Sequence, residues 1–217
     1  MPNFSRAKPT RIINDYHLYK GNFDDGIPPI FRGCYYRLLN RLITIEKDFI
    51  NGVFADMDWQ LQFPIDLKPL ENHLTGYQFN VIGYCWTPPN GEYTRGKGFW
   101  RIDKKNPSII NIYYCQLQFP NQARFTIPHE ALHFCQTLQP DFISFFENEV
   151  YTSILTPALI IKLLEKITEK TTAMYLLPQE YFKAKWQETR SVEELSDYFQ
   201  VSRQAIDYRL KECNLIA

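Results

Sequence analysis

The chain has 217 residues, 45% hydrophobic and 16% aromatic, which is enough to bury the core of one globular domain. Its 24 basic and 24 acidic residues cancel, so no overall positive charge predicts binding to nucleic acid. The N-terminal stretch lacks the apolar core of a signal peptide, and no run of about 18–20 apolar residues predicts a membrane span. Five scattered cysteines without CxxC spacing predict reduced thiols and a cytoplasmic protein.

The elements predicted along the chain indicate an α+β fold. Residues 1–32 are polar and turn-rich and predict an arm, and apolar residues recurring through 33–52 predict a helix. Pro64 opens a short helix that is expected to end near Gly76. Segments rich in aromatic and β-branched residues predict strands at 77–86, 98–103 and 108–115. Helices then follow, so we expect a small, mostly antiparallel sheet between two groups of helices.

The C-terminal segment predicts a pair of short helices similar to a helix-turn-helix. Ser191 followed by Glu194 forms a capping box for the first helix, and the second is expected to start after Ser202. Residues 191–217 contain three basic and five acidic residues, which favours packing or substrate docking over DNA binding. We therefore predict an N-terminal extension over 1–60, a main domain over 61–190 and this helical pair packed on it.

The pentapeptide HEALH at residues 129–133 is the most informative local signal. On an α-helix, His129 and His133 project from the same side because they are four residues apart. Two imidazoles so placed can hold one zinc ion, and Glu130 can reach a nearby water as general base. The alternative is a chance match, in which both histidines merely pack against a neighbouring element.

The helix that carries this motif is predicted to run near 126–138. Thr126 is a suitable N-cap, Pro128 then falls in the first turn, and Pro140 prevents continuation. An apolar stripe is expected to face the core, with both histidines roughly opposite to it. The members of this stripe are Ile127, Ala131, Phe134, Cys135 and Leu138. We interpret Cys135 accordingly as a packing residue and not as a metal ligand.

A catalytic zinc site needs a third protein ligand, and a helix predicted between Thr156 and Pro178 offers two candidates. Glu165 falls on a mostly uncharged strip of this helix, where a carboxylate needs a partner or a metal. Glu169 shares its side with lysines and is expected to be solvated. These features favour Glu165 as the ligand. The alternative is that each glutamate forms an ordinary ion pair with a lysine about one turn away.

Four segments in this order resemble the ImmA/IrrE family of metallo-endopeptidases. They are FPIDLKPLENHLTGYQFNV, ARFTIPHEALH, EKITEKTTAMYLLP and SVEELSDYFQVSRQAIDYRL, within residues 63–216. The resemblance implies a zincin-like fold, in which the sheet packs on the zinc helix and His129, His133 and Glu165 hold Zn²⁺. It also implies a cytoplasmic endopeptidase with Glu130 as catalytic base. The implied substrate is a helix-turn-helix repressor of a mobile element or stress response, and no direct contact with nucleic acid or membrane is expected.

Departures from the family pattern leave other functions open. Leu132 replaces a glycine and Pro128 an alanine, while Thr168 and its neighbours replace small residues of the glutamate helix. Because of these changes, a non-catalytic regulator or antitoxin-like partner built on the same fold stays an alternative to the peptidase. Two further alternatives are a DNA-binding protein that acts through residues 191–217 and a zinc hydrolase for a small molecule.

Overall fold

The structure is a computed structural model that describes residues 27–55, 62–85 and 98–216. The helices and strands within these ranges are α1 Pro29–Ala55, α2 Lys68–His73, β1 Gln78–Tyr84, β2 Gly98–Ile102, β3 Ile109–Cys115, α3 Pro120–Gln136, α4 Pro140–Phe145, a π-helical turn Phe146–Val150, α5 Pro157–Leu176, α6 Gln179–Thr189, α7 Val192–Phe199 and α8 Arg203–Glu212. Within these ranges, no helix combines the length and the apolar character that crossing a lipid bilayer requires.

Most of the predicted elements are confirmed, and with them the α+β class. The short helix after Pro64 ends before Gly76, whose φ of 98° lies in the left-handed region that favours glycine. The predicted helix over 33–52 is longer than expected and becomes α1. Helices α4 and α6 and the π-helical turn were not predicted. Of the arm predicted over residues 1–32, residues 1–26 lie outside the described residues, and the prediction was wrong for residues 29–32, which belong to α1.

The sheet is mixed, which corrects the expectation of a mostly antiparallel one. Strand β3 lies in the centre, pairing antiparallel with β2 and parallel with β1. Trp100, Ile110 and Ile112 are buried in the same core as residues of α3, and both β2 and β3 contact this helix. The sheet therefore packs on the helix that carries HEALH.

Helix α3 begins six residues before the predicted start. Phe119 occupies the N-cap position and Pro120 the first turn, so Pro128 lies inside the helix. Thr126 does not cap the helix, because its hydroxyl instead donates to the Gln122 carbonyl oxygen one turn back, at 2.9 Å. A threonine hydroxyl can either cap the start of a helix or bond back to the preceding turn inside one. The prediction that the helix starts at residue 126 was wrong for this reason.

The buried residues form two apolar clusters, and α5, which carries Glu165, contributes to both. The first cluster joins the end of α1, the sheet, α3, the end of α5 and the C-terminal helices. The second joins α1, α4, the π-helical turn and the first half of α5. Helix α1 contacts α5, and α5 contacts α3. The division of the chain into 1–60, 61–190 and 191–217 stays a prediction.

The C-terminal pair α7 and α8 has the predicted caps and contributes to the first cluster. Ser191 accepts a hydrogen bond from the backbone N–H of Glu194 at 3.2 Å, and Ser202 does the same for Ala205. The backbone N–H of Ser191 donates to the Thr189 hydroxyl, at 3.5 Å. The apolar residues of the pair that belong to this core are Leu195, Phe199, Val201, Ile206 and Leu210.

Candidate metal centre

Helix α3 brings His129 and His133 together on one side, as their spacing predicts. Their Nε2 atoms lie 3.2 Å apart and the two rings are nearly perpendicular, with an interplanar angle of 88°. His133 is buried, and His129 is partly exposed and stacks on Phe125 one turn earlier. The hydrophobic residues Ala131, Phe134 and Cys135 are buried in the first cluster, so the same helix serves the core and the site.

Helix α5 supplies Glu165 to the same point. The Thr156 hydroxyl caps this helix by accepting from the Leu159 N–H, as predicted. Glu165 Oε1 lies 3.0 Å from His133 Nε2, and Glu165 Oε2 lies 3.5 Å from His129 Nε2. The predicted alternative of a surface ion pair applies to Glu169, which is exposed and lies 3.0 Å from Lys166.

The donor atoms of His129, His133 and Glu165 suit one divalent ion. They all lie within 4.8 Å of one another. Tetrahedral zinc with bonds of about 2.0–2.1 Å separates its ligand atoms by roughly 3.3 Å. The distances among the three side chains, 3.0, 3.2 and 3.5 Å, bracket that value. Two imidazoles and one carboxylate also form a ligand set that leaves one position open in catalytic zinc sites.

The ionisable groups of this cluster stabilise one another's charged forms. Burial alone would raise the pKa of Glu165, but the charge of His133 and the hydrogen bonds with both imidazoles hold it far below its ordinary value. Burial alone would lower the pKa of His129, but the Glu165 hydrogen bond and charge and the charge of Glu130 raise it overall. Glu165 is therefore ionised at neutral pH, which is the form that a metal binds.

Glu130 lies beside strand β2 and close to the two histidines in sequence. It is buried, with 8% of its surface exposed. A Cβ atom added to Gly98 would lie 2.9 Å from the Glu130 Cγ, 2.6 Å from the Thr126 Cγ2 and 2.9 Å from the Tyr113 carbonyl oxygen. The lack of a side chain at Gly98 thus allows β2 to approach the helix at this carboxylate.

Thr168 contacts the candidate metal-binding cluster at the Nδ1 side of His133. Its fully buried hydroxyl lies 3.3 Å from His133 Nδ1 and donates toward Gln136 Oε1 at 3.0 Å and the Leu164 carbonyl oxygen at 2.9 Å. By contrast, His129 Nδ1 is buried and has no hydrogen-bond partner among the described residues. The Nδ1 atom of His133 therefore has a hydroxyl partner, whereas that of His129 has none among the described residues. The HExxH motif does not reveal this difference.

Two residues near the site do not emerge from the motifs. The sequence pattern marks Thr168 only as a neighbour of Glu165 on the uncharged strip, and Gly98 only as the start of a strand. The spacing from Glu165 to Thr168 is about one helical turn, which could have signalled the contact with the same histidine. Gly98 acts through the pairing of β2 with β3, and no local pattern reveals such a pairing.

Leu132 is fully buried in the first cluster.

Comparisons with known proteins show the family and the fold of the chain. The family model for M78 peptidases, described as the IrrE N-terminal-like domain, matches residues 87–211, more than half of the chain. A search of curated proteins found no match. Among solved structures, a Mycobacterium tuberculosis transcriptional regulator is similar, with a TM-score of 0.53 and 13% identity over 83% of this chain and 52% of that one. The chain thus spans about half the length of that regulator, and the similarity concerns the fold alone.

Proposed function

Because the chain belongs to the peptidase family described as the IrrE N-terminal-like domain, we propose that it is a zinc-dependent endopeptidase. His129, His133 and Glu165 would hold the metal, and Glu130 would act as general base. The observation that carries the proposal is the convergence of two imidazole nitrogens and one carboxylate at ligand spacing. A buried carboxylate, that of Glu130, directly follows the first histidine on the same helix.

The chemistry divides between the metal and the residues of the chain. A bound zinc ion would supply a Lewis acid that polarises the peptide carbonyl and lowers the pKa of a water. Glu130 would take the proton from the attacking water and deliver it to the leaving amine. One carboxylate can serve both steps because it returns to its ionised form when the amine leaves. Glu165 and the two histidines would keep their positions throughout.

Metal binding is tested by a matched pair of glutamate variants on α5. Glu165→Gln removes the charged oxygen that faces both histidines, whereas Glu169→Gln changes an exposed residue one turn further along. We expect Glu165→Gln to weaken zinc affinity by more than the roughly 10- to 100-fold typical of changes outside the ligand set. Glu169→Gln should bind zinc as the natural protein does. Equal affinities for all three proteins, measured by competition with a chromophoric chelator, would contradict the ligand assignment.

The role of Glu130 is tested separately from metal binding. Glu130→Gln keeps the size of the side chain but cannot accept a proton, so peptide cleavage should fall by about 100-fold or more. Zinc affinity should stay within a few-fold of the natural value, since Glu130 is not proposed as a ligand. A variant that binds zinc normally and still cleaves at the natural rate would exclude Glu130 as general base.

We further propose that the substrate is a DNA-binding repressor and that the protein is cytoplasmic. The resemblance to ImmA/IrrE peptidases supports the first point, and five cysteines without a disulfide support the second. The test is incubation of the zinc-loaded protein with a helix-turn-helix repressor encoded by a neighbouring gene. New termini identified by mass spectrometry, absent with Glu130→Gln, are the expected result. An intact repressor at high enzyme concentration would contradict this substrate.

A non-catalytic regulator on the same fold is the second candidate, because Leu132 and Pro128 depart from the family pattern within the helix that carries both histidines. In that case, the fold would bind a partner without cleaving it. Glu130→Gln separates the two functions, since it removes a catalytic base but leaves the surface unchanged. A cellular phenotype that survives this substitution, with an intact partner, would favour the regulator over the peptidase.

A further inference from the structure

Thr168 lies where a single hydroxyl group can control the orientation of a metal-binding histidine. It follows Glu165 by about one turn of α5 and is fully buried. Its Oγ1 contacts three groups, which are His133 Nδ1, Gln136 Oε1 and the Leu164 carbonyl oxygen. Only one of these, the histidine nitrogen, can act as either donor or acceptor.

The direction of the hydroxyl proton follows from these neighbours. A threonine hydroxyl has one proton to donate, and both carbonyl-type oxygens can only accept it. Gln136 Oε1 and the Leu164 oxygen lie closer to Thr168 Oγ1, at 3.0 and 2.9 Å, than His133 Nδ1 does at 3.3 Å. The proton therefore points away from the histidine, and the oxygen lone pair accepts from His133 Nδ1–H. With a proton fixed on Nδ1, Nε2, which faces Glu165 and His129, is the nitrogen whose lone pair can bind a metal.

Gln136 supplies the side-chain acceptor for this hydroxyl. It lies on α3 about one turn after His133 and is buried, at 2% exposure. Its amide Oε1 faces Thr168 Oγ1 at 3.0 Å, whereas its Nε2 makes no hydrogen bond with a described residue. The acceptor for the Thr168 proton and the histidine that the hydroxyl contacts therefore lie on the same helix.

We propose that Thr168 is a positioning residue, which holds the His133 imidazole in the tautomer and orientation that metal binding requires, while Gln136 Oε1 and the Leu164 carbonyl oxygen fix the direction of its hydroxyl. The inference rests on the proposed function, because it assigns a role toward a metal held by His129, His133 and Glu165.

The test uses three variants of the full chain. Thr168→Val removes the hydroxyl at almost constant volume, and Thr168→Ser retains it. Thr172→Val is the matched control, because Thr172 is equally buried on the same strip but its hydroxyl donates only to the Thr168 backbone oxygen, at 2.7 Å, among the described residues. Zinc affinity is measured by chelator competition, and the visible absorption of the Co²⁺-loaded proteins reports the ligand geometry.

We expect Thr168→Val to lose about 10- to 100-fold in zinc affinity and to shift the Co²⁺ spectrum. Thr168→Ser keeps the hydroxyl, and Thr172→Val removes a hydroxyl that does not contact the histidine. Both variants should therefore stay within about threefold of the natural zinc affinity and keep the natural spectrum. Equal losses for Thr168→Val and Thr172→Val, or natural affinity in Thr168→Val, would overturn the positioning role. Failure of the natural protein to bind zinc would instead overturn the proposed function itself.

A further variant covers the case in which Thr168→Val does not fold. Gln136→Met leaves the Thr168 hydroxyl in place but removes the acceptor that directs its proton. We expect a smaller loss of zinc affinity, about 3- to 10-fold, because the Leu164 oxygen still accepts from the hydroxyl. Unchanged affinity and an unchanged Co²⁺ spectrum in a folded Gln136→Met protein would overturn the proposed chain of contacts.

Discussion

Gly98 controls the distance between strand β2 and the carboxylate of Glu130. In Gly98→Ala, the new Cβ would meet the Tyr113 carbonyl oxygen at 2.9 Å, and backbone cannot yield as a flexible side chain can. We expect a loss of about 1–3 kcal/mol in the free energy of unfolding, as overpacking usually causes. Peptide cleavage should fall by about 10-fold or more because Glu130 is displaced, since errors of about 1 Å at a catalytic group have such effects.

The control for Gly98→Ala is Gly83→Ala on β1. The nearest atoms to a Cβ at Gly83 belong to the side chain of Gln116, which can rotate away. Urea unfolding and zinc affinity are measured for both variants, together with cleavage. Zinc affinity should be nearly natural in both, and only Gly98→Ala should lose activity. Equal activity of the two variants would contradict the role assigned to this close approach.

Glu46 makes the stability of the protein depend on pH. Burial raises its pKa from 4.5 to about 7, although Thr171, Gln136 and Gln139 lower it. Between these values the folded state keeps a proton that the unfolded state has lost, so stability falls as the pH rises from about 4.5 to 7. A difference of this size corresponds to about 3 kcal/mol, lost by pH 8.

Glu46→Gln removes this dependence, because an amide does not titrate. We therefore expect the difference in unfolding free energy, Glu46→Gln minus natural protein, to rise by about 3 kcal/mol between pH 5 and pH 8. Glu169→Gln, which changes an exposed carboxylate, serves as the control and should show no such rise. Urea titrations across this pH range measure the effect. Parallel profiles for Glu46→Gln and the natural protein would show that Glu46 has an ordinary pKa.

At the level of elements, the N-terminus of α7 shows how a helix is capped. The Ser191 hydroxyl accepts from the Glu194 N–H, but the Ser191 N–H donates to Thr189, so only one half of the predicted capping box carries a contact. Ser191→Ala should cost about 1 kcal/mol of unfolding free energy. Glu194→Gln should cost about 0.5 kcal/mol or less, through the helix dipole alone. Equal costs in chemical denaturation would mean that the box is reciprocal after all.

The elements also show which features of the fold could be predicted from sequence. Local signals sufficed for α5, because Thr156 caps it and Pro178 follows its end, and for the spacing of His129 and His133. The parallel pairing of β1 with β3 could not be predicted, because strand order depends on contacts between distant segments. The start of α3 was misplaced because Thr126 can either cap a helix or bond back within one.

The same distinction applies to the candidate site. Glu165 could be predicted as a partner of the histidines because a carboxylate on an uncharged helical strip requires one. Gly98 could not, because its effect arises only when β2 is paired and packed on α3. Glu46 was missed for a related reason. It lies on a helix assigned to an N-terminal extension, and its buried position depends on how α1 packs against α5.

At the scale of the whole molecule, α1 is expected to unfold together with the metal centre. Leu42 is fully buried in the second cluster, which includes the first half of α5. Leu42→Ala should therefore cost about 2–5 kcal/mol, and it should weaken the entire fold. Hydrogen exchange followed by mass spectrometry should show peptides from α1 and from β3 losing protection together. Tyr36→Ala, at an exposed position of α1, is the control and should have little effect.

Independent loss of protection in α1 would instead mean that the N-terminal helix is a separate cooperative unit. The N-terminal extension predicted over residues 1–60 would then also unfold as a separate unit. The shared contacts of α5 with both α1 and α3 favour a single transition.

The three candidate ligands come from two helices, α3 and α5, which the chain joins only through the long segment around α4. An ion held by all three would tie these helices together as a crosslink does, and would do so only in the folded state. When the free ion concentration is a thousand times the Kd, binding adds about 4 kcal/mol to the free energy of unfolding. In cells that lack the ion, a larger fraction of the protein would be unfolded and open to degradation, so its abundance would follow the metal supply.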